Sequence, residues 1–128
     1  LAATIAQTAP RLAWLMPAFH NPTGRCMDAP TRQRVADIAA RTRTTLVIDE
    51  TMVDLWYNAP PPPPLACFNP DAAVITIGSA GKSFWGGLRI GWIRASTRTI
   101  ASLIQARVFS PLALYAAGRW ALFLGGTP

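Results

Sequence analysis

The chain has 128 residues, 51% of them hydrophobic and 14% charged; that fits one domain and excludes two independent cores, and it excludes disorder as the main state. No apolar run reaches the roughly 18 residues of a spanning helix, since the longest candidate, 108–124, is interrupted by Pro111, Gly118 and Arg119. The net charge of +6 admits a nucleic-acid partner, but the basic residues are scattered, apart from Arg32, Arg34, Arg41 and Arg43. Those four are read as the solvated face of one helix in preference to a phosphate-binding stripe.

In chain order, residues 1–8 read as the end of a helix and Arg11 to Met16 as a strand. Pro17 to Cys26 is a loop with Asn-Pro and Thr-Gly as turn signals. Asp28 is a plausible N-cap, with Pro30 tolerated in the first turn. Val35, Ile38 and Ala39 then follow at helical spacing. Thr44 to Ile48 is β-rich and ends at Asp49. Five prolines, Pro60 to Pro64, form a stiff surface connector. Ala73 to Ile77 is a strand, Ser79 to Gly87 a glycine-containing loop, and Leu88 to Arg94 another strand. Ile100 to Arg107 and Leu112 to Leu124 read as helices. Strands alternating with helices predict an α/β layer fold. Three or four short strands leave open edges unless other segments complete the sheet.

The apolar start lacks a basic segment and carries Arg11, which argues against a secretory signal. The chain begins at Leu1, which hints at a fragment. Cys26 and Cys67 fit neither a disulfide framework nor a metal cluster, and are read as reduced thiols of a cytoplasmic protein. Eleven of the twelve cations are arginine, and Lys82 is the one lysine. An amine can form a Schiff base where a guanidinium cannot usefully do so.

Four features come in order: Asn21-Pro-Thr-Gly24, Asp49, Ser79-Ala-Gly-Lys82 and Arg89. Singly, each has a plain reading: a turn, a cap or ion-pair partner, a surface loop residue, a snorkelling arginine. Together they answer the needs of pyridoxal phosphate (PLP). That cofactor takes an amine for its aldimine, a carboxylate against its pyridine nitrogen, a donor to its phenolic oxygen, and hydroxyls and a cation for its phosphate. Open α/β sheets place ligands at strand ends of this kind.

The stretches PAFHNPTG (17–24), LVIDE (46–50) and IGSAGKSFWGGLRIGWIRA (77–95) resemble the large domain of fold-type-I PLP enzymes, the class I/II aminotransferases. The resemblance covers about residues 11–107. Lys82 and Arg89, seven positions apart, and the GGLRIGW wording are closest to MocR-type regulators. In these an aminotransferase-like domain follows a winged helix-turn-helix of the GntR type. The resemblance implies a partial three-layer, mixed and mostly parallel sheet with flanking helices. Residues 1–128 would form a single partial domain, without its N-terminal part and C-terminal small domain. It further implies that Asn21 bonds the phenolic oxygen, Asp49 the pyridine nitrogen, Lys82 the aldehyde, and Ser79 and Arg89 the phosphate. The expected partners are an amine or amino-acid ligand and, for the intact parent, a second copy. DNA would be bound only through a separate domain, and a membrane not at all. Alternatives are a piece of a free-standing aminotransferase, or a truncated remnant that binds no cofactor alone; the isolated chain is expected to be inactive.

One departure is that Thr51 and Met52 stand where many relatives carry a tyrosine, and Tyr57 is too far along to replace it. GSAGKS imitates a phosphate-binding P-loop, but only Ser79 and Ala80 separate its glycines. His20 reads as a hydrogen-bonded loop histidine. Trp14, Trp56, Trp85, Trp92 and Trp120 read as core or interface packing, with Trp85 near enough to Lys82 to line a pocket.

Overall fold

The computed structural model describes residues 1–108 and the strand at 120–125. In chain order the elements are α1 (Ala2–Thr8), β1 (Leu12–Leu15), α2 (Ala29–Thr42), β2 (Thr45–Asp49), β3 (Val74–Ser79), α3 (Ala80–Ser83), β4 (Ile90–Ala95), α4 (Thr97–Val108) and β5 (Trp120–Gly125). One sheet runs β1-β2-β3-β4-β5. β1, β2 and β3 are mutually parallel, β4 is antiparallel to β3, and β5 is parallel to β4.

β2 sits inside the sheet, and its Leu46, Val47 and Ile48 are buried in succession. A strand covered on both faces reads as such an unbroken apolar run instead of an alternation. Helix α2 packs on one of those faces. Its Val35, Ala36 and Ala39 join Leu46, Ile48 and Leu65 in the core, with Ala13, Leu15 and Val74 around them. The helix starts where expected: Asp28 Oδ1 accepts from the Thr31 amide at 2.8 Å, with a proline in the first turn. It stops at Arg43, whose left-handed backbone (φ 54°) closes the last turn.

Four expectations are corrected. Residues 120–124 belong to a strand, not a helix, paired in register with β4 from Ile90↔Trp120 to Ala95↔Gly125. A short apolar run has no decisive period, and the free edge of β4 selects the extended form; the rest of the expected helix, 112–119, lies outside the described residues. The loop at 79–87 contains a turn of helix, α3, and a 3-10 turn at Gly86–Leu88. Arg32 is no part of a solvated face, because it is 1% exposed. Trp14, Trp56 and Trp85 are at least half exposed instead of packed in the core. Among the described residues, no helix is long and apolar enough to cross a membrane.

Candidate functional site

The topology puts every singled-out residue on one edge of the sheet. β1, β2 and β3 run in the same direction, so their carboxyl ends share an edge, and antiparallel β4 starts there. Asn21 follows β1, Asp49 ends β2, Ser79 ends β3, and Arg89 immediately precedes β4. With strands about 4.8 Å apart, the edge from β1 to β4 spans roughly 15 Å.

Ser79, Gly81, Lys82, Gly86, Arg89, Ile90 and Gly91 line an open cleft of about 420 Å³. Ser79 caps α3, its Oγ accepting from the Gly81 amide at 3.2 Å. Because that hydroxyl accepts from the main chain, its own proton remains available to a ligand. Lys82 lies in the last turn of α3 and is exposed. Arg89 holds a left-handed backbone, φ 54°, uncommon for a residue with a Cβ. This strain, on the order of 1–3 kcal/mol, turns the chain from the Gly86–Leu88 turn into β4. Ser83 Oγ donates to Asp54 Oδ2 at 3.1 Å and ties α3 to the loop after β2.

Asp49 is half-buried, and its Oδ1 accepts from the Thr51 amide at 3.0 Å and from Thr51 Oγ1 at 2.7 Å. The carboxylate is thus oriented through one oxygen. Asn21 sits on the loop 17–27, whose feet are joined by the Met27 amide donating to Pro17 O at 2.7 Å. Within the loop the Gly24 amide donates to His20 O and the His20 amide to Arg25 O. Gly24 has φ +66°, which favours glycine. The His20 ring nitrogen Nδ1 pairs with Thr23 Oγ1 at 2.8 Å, the loop role expected of it. The cleft therefore brings together Ser79, Lys82 and Arg89, while Asn21 and Asp49 stand on the same sheet edge outside its lining. Trp85 does not line it either, and Tyr57, 95% exposed, takes no part.

The sequence reading missed Arg32 and Glu50. Arg32 stands three, four and seven positions before Val35, Ala36 and Ala39, the spacing of the buried face of α2; that was the available signal. Glu50, next to Asp49, is only 7% exposed. Burial pushes its carboxyl above the ordinary range; Arg32 and Arg94 oppose the shift, and Asp54 adds to it.

The larger hollow, about 760 Å³, lies at the opposite edge of the sheet, among Thr45, Val74, Thr76, Arg94 and Ala95. It carries no amine and no carboxylate, so size is a poorer guide here than chemistry. The P-loop imitation fails structurally, since α3 is a four-residue helix. Cys26 and Cys67 are free and exposed. Among the described residues, no three His, Cys, Asp or Glu side chains group as metal ligands.

The family model for aminotransferase class I and II matches residues 9–118. An uncharacterized HTH-type transcriptional regulator of Bacillus subtilis, YisV, is 29% identical over 115 residues, covering 86% of this chain and 24% of that protein. Aromatic-amino-acid aminotransferase 1 of Thermococcus litoralis is 30% identical over 97 residues, covering 76% of this chain and 23% of that protein. The structure of N-succinyldiaminopimelate aminotransferase from Mycobacterium tuberculosis superposes with a TM-score of 0.70 at 30% identity, covering 83% of this chain and 29% of that one. The chain thus spans about a quarter of the length of the relatives it matches.

Proposed function

Because this chain belongs to the aminotransferase class I and II family, whose cofactor is PLP, we propose that the carboxyl edge of its sheet is the PLP site of an aminotransferase-like domain. The single observation that carries the reading is that the one lysine, Lys82, shares a cleft with Ser79 and Arg89. The donor set fits the group. Lys82 would supply the attaching amine, the Ser79 hydroxyl and the Arg89 guanidinium would serve the phosphate, Asp49 would hold the ring nitrogen, and Asn21 would donate to the phenolic oxygen.

When bound, the cofactor supplies a protonated ring that stabilises negative charge on the carbon beside an amine. The chain's own residues prepare for that. Thr51 fixes the Asp49 carboxylate through Oδ1 and leaves Oδ2 to hold a ring proton. Ser79 keeps its hydroxyl proton for a phosphate oxygen. Lys82, on a flexible stem, can hold or release a proton at Nζ.

The same site serves two parents: a MocR-type regulator that senses an amine or PLP itself, and an aminotransferase. One observation favours the regulator. Thr51, standing where many class I/II enzymes carry a tyrosine, bonds Asp49, and Tyr57 is solvent-exposed, so among the described residues no phenol supports the ring oxygen from this side. In that parent, DNA binds through a separate domain. A second copy completes the assembly, the compartment is the cytoplasm, and the ligand is an amine or amino acid.

Titrating the purified chain with PLP tests the reading. The visible band of lysine-bound PLP is expected for the chain and is lost in Lys82→Ala. A band that persists in the variant removes Lys82 from its role, and no band in the unchanged chain favours a remnant without cofactor binding.

A further inference from the structure

We propose that Arg32 is a positioning residue for the PLP site: its buried guanidinium holds both feet of the loop that carries Asn21 and pins the proline run against them. The inference rests on the reading of that site given above.

Arg32 Nε donates to Met27 O at 2.9 Å, Nη2 to Pro17 O at 3.2 Å, and Nη1 to Pro63 O at 3.1 Å. Pro17 and Met27 are the feet of the loop, and Pro17 O also accepts from the Met27 amide. A cation 1% exposed is tolerated only with its donors satisfied. Here main-chain carbonyls from three segments accept from it, and Nη2 also reaches Cys26 Sγ at 3.8 Å, an arrangement that needs a rigid fork and not the point charge of a lysine.

The tip of the loop is tied back more lightly, by the Asn21 amide donating to Met16 Sδ at 3.1 Å, beside the first foot. His20, Asn21, Pro22, Thr23 and Gly24 are all exposed. The direction in which Asn21 reaches is therefore set at the feet and by the Met16 side chain next to them. The same cation attracts Glu50, the neighbour of Asp49. One buried charge thus stands behind two segments assigned to the cofactor, although it lines no cleft itself.

The test compares Arg32→Lys and Arg32→Met with the unchanged chain by amide hydrogen exchange and PLP titration. In Arg32→Lys the amides of His20, Gly24 and Met27 are expected to exchange roughly tenfold faster, while the Leu46 amide in β2 keeps its protection. PLP binds roughly tenfold more weakly. The pH midpoint of its visible band moves up, because a donor on the phenolic oxygen favours the ionised form. Arg32→Met exceeds Arg32→Lys in each respect; if it does not fold, Arg32→Lys alone decides. Unchanged exchange in the loop overturns the proposal. So does faster exchange with unchanged PLP affinity and midpoint, which reduces Arg32 to a structural bond. If the unchanged chain takes up no PLP, or Lys82→Ala keeps the band, the site reading falls and this proposal with it, and the exchange data tell the two failures apart.

Discussion

Trp92 lies across β3 at Gly78, and a Cβ there would stand 2.0 Å from the indole. Neither the ring nor the strand can yield cheaply, because Gly78 is paired with Trp92 in the sheet. Gly78→Ala is therefore expected to destabilise the chain by about 1–3 kcal/mol, read in a thermal melt. Adding Trp92→Leu should recover part of that loss. Glu50 gives a second prediction at this scale. Its folded carboxyl titrates above the ordinary value of 4.5, so the folded state binds that proton more tightly than the unfolded chain does. The associated stability is present below the unfolded value and is lost as pH rises through the folded one. Glu50→Gln should flatten this fall when chemical denaturation is followed from acid to neutral pH.

Among the elements, α2 supplies Val35, Ala36 and Ala39 to the core, and two substitutions probe it differently. Ile48→Ala opens a cavity beneath it and should cost about 2–5 kcal/mol. Asp28→Ala removes the acceptor for the Thr31 amide and should lower the melting temperature by a few degrees. Bonds from Thr31 hold the Asp28 carboxyl below its ordinary value of 3.8. The cap's contribution is thus present above that value and disappears as pH falls through the lowered one; variant and parent should converge in strong acid. The cap, the proline behind it and the apolar spacing made α2 legible. Arg32 was not, because an arginine in a chain with eleven of them announces nothing by type, and only its position on the buried stripe separates it from the solvated ones. β5 was illegible for another reason: six residues without a period take their form from a neighbouring edge, which no local pattern records.

For the whole molecule, the order of the chemical groups along the chain survived into space because parallel strands deliver successive loops to one edge. Asn21, Asp49, Lys82 and Arg89 were legible by residue type and motif order, and the topology places them along that edge. Their distribution between cleft and edge was not legible, since it depends on the turns of α3 and the Gly86–Leu88 segment. The outer strand β1 leaves Trp14 59% exposed, and an open edge beside a large apolar group invites pairing. The isolated chain should associate as concentration rises, and Trp14→Lys should reduce this, measured by light scattering.

The reversal between β3 and β4 has a mechanical consequence. Ser79 and Gly91 are cross-strand partners, so the excursion bearing the amine and the guanidinium is clamped at both roots, like the bow of a shackle. Lengthening the bow by one residue between Lys82 and Arg89 would leave the sheet intact and misalign the two cations with each other.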